Sequence, residues 1–139
     1  MEPGRPDVFT EEKLALLREF GVTRICVNPQ SFCDATLARI GRNHTADDIL
    51  RAYEMSRKFD FSVNFDLIAG LTGESAEEFC DSVDRAVALS PENITVHTLC
   101  LKKGAKLREE TCFLAGGGIS EMIAYSRRRL YEAVYVPYY

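Results

Sequence analysis

Hydrophobic and polar positions along this chain fall into blocks that predict strands and helices in turn. The strand blocks are short runs rich in β-branched residues, and the helical blocks repeat apolar residues at every third or fourth position. Strands are predicted at 23–28, 62–68 and 93–99, and a fourth is expected to begin near Tyr135. Helices are predicted at about 11–20, 35–40, 45–59, 75–89 and 120–133.

The ends of several predicted helices carry capping residues. Thr10 is expected to cap the first helix and Gly21 to end it, while Ser120 is expected to cap the last. Thr45 and Ser75 each stand three residues before an acidic residue, which is the arrangement of a capping box. The positions expected to face the core are Leu14, Leu17 and Phe20 in the first helix, Ile49, Tyr53 and Ser56 in the third, and Phe79, Val83 and Val87 in the fourth.

Alternating strands and helices at this spacing indicate βαβ crossovers and therefore a parallel α/β sheet. We expect residues 1–139 to form a single domain. The predicted units correspond to half of an eight-unit barrel, or to a small doubly wound sheet, and periodicity alone does not choose between them.

Asn64 and Asp66 interrupt the second predicted strand, where a buried parallel strand would be almost entirely apolar. They are two residues apart and so lie on the same face. Burying a carboxylate without a partner is costly, and in barrels of β/α units the usual explanation is a ligand at the carboxyl ends of the strands.

Composition narrows the class of protein. The chain has 46% hydrophobic and 27% charged residues and a net charge of −4, which argues against a nucleic-acid-binding protein. No apolar run is long enough for a transmembrane helix, and 1–9 do not resemble a signal peptide. An odd number of irregularly spaced cysteines favours reduced thiols and a cytoplasmic protein. The cysteines are Cys26, Cys33, Cys80, Cys100 and Cys112.

Several segments occur in an order that is typical of one enzyme family. They are EPGRP at 2–6, GVTRI at 21–25, PQSF at 29–32, IGRNHT at 40–45, NFDLIAGL at 64–71 and the final YVPYY. Through them the chain resembles the oxygen-independent coproporphyrinogen III oxidases (coproporphyrinogen dehydrogenases) of the radical S-adenosylmethionine superfamily. The haem-chaperone-like relatives share these segments.

The resemblance implies a partial TIM-like barrel of β/α units, of which this chain would be the C-terminal half. It would run from near the end of the third strand to the start of the seventh element, so both ends are expected to be truncated. The family holds a [4Fe–4S] cluster through a CxxxCxxC motif, which is absent here. The chain alone is therefore expected to be inactive.

The resemblance also implies residues that bind S-adenosylmethionine. Gln30 would hydrogen-bond the ribose or carboxylate, Arg42 would clamp the methionyl carboxylate, and Asp66 would accept from the ribose or the ammonium group. Glu2 and Cys100 match two further pocket positions. The alternatives are an ordinary turn residue for Gln30, an exposed terminal residue for Glu2, a small core residue for Cys100, and for Asp66 an ion pair with Arg42 or Arg24.

By the same resemblance, the full enzyme would decarboxylate the propionate side chains of coproporphyrinogen III through a 5′-deoxyadenosyl radical, giving protoporphyrinogen in haem biosynthesis. Its partners would be the porphyrinogen and an electron donor, with neither nucleic acid nor membrane. The alternatives are a haem-chaperone-like relative without oxidase activity and an unrelated small binding domain. Open strand edges in half a barrel predict a homodimer. A metal site at His44 is not expected, because His97 is distant in sequence and no acidic partner stands at ligand spacing.

Overall fold

The computed structural model describes residues 4–99 and 118–137, which form eight main helices and strands after a short 3₁₀ turn at Pro6–Val8. The helices are α1 Glu11–Glu19, α2 Asp34–Arg39, α3 Ala46–Lys58, α4 Ala76–Leu89 and α5 Gly118–Glu132. The strands are β1 Arg24–Gln30, β2 Ser62–Ala69 and β3 Asn93–Thr98.

The three strands form one parallel sheet in the order β1–β2–β3, which confirms the predicted parallel α/β architecture. In its register Asn64 of β2 lies between Cys26 of β1 and Asn93 of β3. Gly4 forms an isolated parallel bridge with Val27, so the chain ahead of α1 runs beside the outer edge of β1.

The two faces of the central strand differ. Val63, Phe65, Leu67 and Ala69 are buried, and they belong to a core that also contains residues from all five helices. The alternate positions of β2 include Asn64 and Asp66 on the opposite face. One face of β2 therefore stabilises the fold, and the other presents polar groups.

The predicted caps of the first three long helices are confirmed. The Thr10 hydroxyl accepts from the Lys13 amide at 3.3 Å, and Thr45 and Ser75 each form a complete capping box. The predicted inner stripes of α3 and α4 are buried as well. Each box satisfies amide groups that would otherwise have no partner in the first turn.

Three predictions are wrong. Phe20 is 78% exposed, because α1 ends at Glu19 and Phe20 is its C-cap, so Leu14 and Leu17 alone carry the inner stripe. Ser120 lies inside α5, Gly118–Glu132, so it is not the N-cap of that helix. The residues at 135–137 form no strand, and the Tyr135 hydroxyl instead donates to the Pro91 carbonyl at 2.6 Å.

Candidate functional site

Gln30 lies at the carboxyl end of β1, where the chain turns toward α2. Its φ of 68° is in the left-handed region, which a residue with a side chain adopts only where the surroundings hold it. The register of β1 against β2 shifts between Val27 and Gln30 as a result. Gln30 is only 7% exposed, so its amide is carried by a well-defined part of the fold.

Gln30 and Arg42 line the same cavity, of about 330 Å³, at the carboxyl edge of the sheet. Arg42 comes from the segment between α2 and α3, next to Gly41. The other lining residues are mostly apolar: Ile40, Gly41, Ile68, Leu71, Thr72 and Leu99. An apolar cavity with a few convergent polar groups is the usual form of a small-molecule site.

No hydrogen bond or ion pair joins the Gln30 amide or the Arg42 guanidinium to another side chain within 4–99 and 118–137. A guanidinium offers paired donors that match a carboxylate, and an amide offers one acceptor and two donors. The two groups therefore fit a ligand with a carboxylate and further polar atoms, as S-adenosylmethionine has.

Asp66 is not among the residues that line this cavity. It lies on the polar face of β2, two residues before Ile68, which does line it. One Asp66 oxygen accepts from Asn64 Nδ2 at 2.7 Å and lies 3.9 Å from His97 Nε2. Asp66 forms no ion pair with Arg42 in the described part of the chain. The structure thus brings Gln30 and Arg42 together in one cavity, and it does not bring Asp66 into the lining of that cavity.

Sequence reasoning missed the cross-strand partners of Asn64. Its side chain is hydrogen-bonded to Asn93 and Thr95 of β3 and contacts Cys26 of β1. The polar face of the sheet is therefore a connected network rather than a single carboxylate. Asn93 and Thr95 were visible as polar residues in a predicted strand, which was the only signal in the sequence.

A second missed group is Glu74, in the loop between β2 and α4. It is 1% exposed, and the Ser31 hydroxyl donates to its Oε1 at 2.5 Å, whereas its Oε2 has no partner among the described residues. Burial raises the pKa of Glu74 to about 7, against the opposing effect of the Ser31 hydrogen bond. Because Ser31 follows Gln30, this bond joins the loops after β1 and β2.

Arg39 makes a second connection between these loops. It donates to the Thr72 carbonyl at 3.2 Å, and its guanidinium packs over Gly73, where a Cβ would lie 2.6 Å from Nη1. Gly73 also has a φ of 71°. The wall of the cavity that contains Thr72 is therefore held by α2.

The remaining predicted site residues can be placed briefly. Glu2 and Cys100 lie outside the described residues. His44 is buried with Nε2 at 3.2 Å from the Pro29 carbonyl, which is a structural contact. Within 4–99 and 118–137 no three His, Cys, Asp or Glu residues are arranged to hold a metal ion, so these residues do not fit a [4Fe–4S] cluster. No helix in that part of the chain is both long and apolar enough to cross a membrane.

Residues 2–86 match the Radical SAM superfamily. The chain is 41% identical, over its whole length, to the oxygen-independent coproporphyrinogen-III oxidase-like protein HemZ of Bacillus subtilis, of which it covers 28%. It is 34% identical over 98 residues to the haem chaperone HemW of the same organism, covering 70% of this chain and 26% of HemW. The chain thus spans about a quarter of the length of these relatives.

Solved structures share the fold. Coproporphyrinogen III oxidase (HemN) from Escherichia coli, a radical SAM enzyme, superposes with a TM-score of 0.83 at 20% identity, over 97% of this chain and 32% of the enzyme. The methyltransferase TsrM from Kitasatospora setae, solved with cobalamin and a [4Fe–4S] cluster, superposes with a TM-score of 0.62 at 21% identity, over 70% of this chain and 20% of TsrM.

Proposed function

The chain belongs to the radical SAM superfamily, whose cofactors are S-adenosylmethionine and a [4Fe–4S] cluster, and from that premise we propose that it is part of an oxygen-independent coproporphyrinogen III oxidase. The identity to HemZ over the whole chain supports this activity. The complete protein would decarboxylate a porphyrinogen in haem biosynthesis, with electrons from a separate donor.

In this proposal the chain forms one wall of the S-adenosylmethionine pocket. Arg42 holds the methionyl carboxylate with paired hydrogen bonds, and Gln30 hydrogen-bonds the ribose or the carboxylate. Asp66 accepts from the ribose hydroxyls or the ammonium group. Bound S-adenosylmethionine supplies the radical chemistry of the superfamily, and these side chains fix its position and orientation.

The observation that carries the proposal is the shared cavity of Gln30 and Arg42. Both side chains lack partners in the described part of the chain, although Gln30 is nearly buried. The polar atoms of both side chains are therefore available to a bound ligand. A ligand with a carboxylate and hydroxyl groups would satisfy both at once.

We further propose that the cluster ligands are supplied from outside this chain. The sequence contains no CxxxCxxC motif, and the chain covers only 28% of HemZ. The 139-residue chain alone would then be inactive. We also propose a cytoplasmic location, which the odd number and irregular spacing of the cysteines in the sequence support.

The test uses the complete protein that carries this chain, reconstituted with iron and sulfide under anaerobic conditions. We expect a strong reductant to give 5′-deoxyadenosine and, with coproporphyrinogen III, protoporphyrinogen. Arg42→Ala should raise the KM for S-adenosylmethionine at least tenfold, because a carboxylate loses its paired donor. Arg85→Ala removes an exposed helical arginine, paired with Asp81, and should leave the KM unchanged. Equal effects of the two variants would contradict the proposed pocket.

A haem chaperone is the second candidate, favoured by the 34% identity to HemW. Haem titration separates the two functions. Tight stoichiometric haem uptake by the complete protein, without protoporphyrinogen formation, would favour the chaperone. Porphyrinogen turnover with weak haem binding would favour the oxidase.

A further inference from the structure

The polar face of the sheet contains a hydrogen-bond network that crosses two strands and ends at Asp66. Asn64, in the middle of β2, is 7% exposed and uses both ends of its amide. Its Oδ1 accepts from Asn93 Nδ2 at 2.5 Å and from Thr95 Oγ1 at 3.0 Å. Its Nδ2 donates to Asp66 Oδ1 at 2.7 Å and points to Cys26 Sγ at 3.4 Å.

This pattern fixes the orientation of the Asn64 amide. A carboxylate only accepts hydrogen bonds, so the group that faces Asp66 must be the NH₂. The Oδ1 then faces β3, where Asn93 and Thr95 supply donors. The Asn64 amide is therefore held by β3 through its Oδ1 and holds the Asp66 carboxylate through its Nδ2.

We propose that Asn64 is a positioning residue for Asp66 in the binding of S-adenosylmethionine, with Asn93 and Thr95 holding Asn64 in place. The inference rests on the proposed function of the cavity. The Asp66 carboxylate can rotate about two side-chain bonds. The hydrogen bond that Asn64 Nδ2 donates to Asp66 Oδ1 favours one rotamer. The other oxygen is left for the ligand, and the ligand then loses less entropy when it binds.

The geometry separates this role from packing. Asn64 contacts polar atoms on both neighbouring strands, and the buried core residues of β2 lie on the opposite face. Removal of the Asn64 amide should therefore affect Asp66 and its ligand more than the core. The effect should also disappear when Asp66 itself can no longer accept the ligand's hydrogen bonds.

The test is a double-mutant cycle in the reconstituted complete protein, measured as the KM and kcat for S-adenosylmethionine in 5′-deoxyadenosine formation. We expect Asn64→Ala to raise the KM about tenfold with a smaller change in kcat, which corresponds to about 1.4 kcal/mol of binding. Asp66→Asn should raise the KM at least as much. The KM of the double variant should be no higher than that of Asp66→Asn alone. Ser62→Ala, on the same face of β2 at the start of the strand, is the matched control and should leave the KM unchanged.

Thr95→Val is the second variant, since it removes one donor to Asn64 with little change in volume. It should raise the KM severalfold and keeps the test valid if Asn64→Ala fails to fold. The inference would be overturned if the increase in KM in the double variant equalled the product of the increases in Asn64→Ala and Asp66→Asn. A Thr95→Val protein with the wild-type KM would also overturn it. A wild-type protein that forms no 5′-deoxyadenosine would refute the proposed function itself, whereas an active wild type with independent variants would refute only the role of Asn64.

Discussion

The protonation of Glu74 is the clearest property of a single residue that can be tested. Its folded-state pKa, about 7, is above the ordinary value of 4.5, first because of burial and also because Glu78 is nearby. The Ser31 hydrogen bond and Arg39 act in the opposite direction. A raised folded-state pKa means that the folded state keeps a proton that the unfolded chain releases, so stability falls as the pH rises from about 4.5 to 7.

Glu74→Gln should remove this pH dependence. We expect the wild type to lose up to about 3 kcal/mol of unfolding free energy relative to the variant between pH 4.5 and 7, with no further loss above that range. Urea unfolding at several pH values measures the difference. Glu54→Gln, on the exposed surface of α3, is the control and should run parallel to the wild type. A constant difference between wild type and Glu74→Gln would contradict a neutral carboxyl in the folded protein.

For single residues, the sequence predicted where candidate side chains lie but did not predict their hydrogen-bond partners or their burial. The β-strand period placed Asn64 and Asp66 on one face, and that placement is confirmed. The bonds from Asn93 and Thr95 depend on the register between β2 and β3, which no pattern within one strand specifies. The burial of Glu74 depends on the packing of the loops after β1 and β2, which the sequence of its own segment does not specify.

At the scale of elements, α2 supports the β2–α4 loop through Arg39. Gly73→Ala should be destabilising, because the position has a φ of 71° and a new Cβ would lie 2.6 Å from Arg39 Nη1, so the guanidinium would have to move from its bond to the Thr72 carbonyl. Gly21 has a similar φ of 76° and open space around it, so Gly21→Ala reports the backbone strain alone. We expect Gly21→Ala to cost about 1 kcal/mol and Gly73→Ala measurably more.

Thermal unfolding of the two glycine variants makes the comparison. The excess loss in Gly73→Ala should shrink in an Arg39→Ala background, because the flexible side chain that the Cβ meets is then gone. Equal losses in the two variants would show that the contact between Arg39 and the loop contributes nothing beyond backbone conformation.

Helix starts with side-chain caps were predictable, whereas the end of α1 was not. The starts of three helices could be predicted from their N-cap residues, Thr10, Thr45 and Ser75. Each side chain accepts a hydrogen bond from a backbone amide three residues later, so the signal is local in sequence. At α5 the predicted cap was wrong, because Ser120 lies inside the helix as the structure describes it. The prediction for Phe20 was wrong because the three-residue spacing of apolar positions extends beyond Glu19, the last residue of α1.

For the whole molecule, alternating β and α blocks predicted a parallel sheet, and local steric and connection rules account for that success. The choice between a barrel and an open sheet depends on strands that neighbour β1 and β3 at the edges. Periodicity within the chain contains no information on those neighbours. The family resemblance favoured the barrel, and the superposition on the coproporphyrinogen III oxidase structure supports the same fold.

The outer edge of β3 leads to the last prediction, which concerns association. No strand pairs with that edge in the described part of the chain, and beside it a groove of about 350 Å³ lies between β3 and α5, lined by apolar residues that include Ile94, Val96 and Leu130. Unpaired strand edges pair readily with other chains. We therefore predict that the 139-residue chain forms a homodimer through β3.

Light scattering coupled to size exclusion should give the mass of a dimer at high micromolar concentration. Thr98→Lys places a charge at the exposed end of β3 and should shift the chain toward monomer, since edge lysines oppose strand pairing. Lys58→Ala, on α3 and away from this edge, should leave the mass unchanged. A monodisperse wild-type monomer at that concentration would refute the dimer, and a dimer that survives Thr98→Lys would place the contact on another surface.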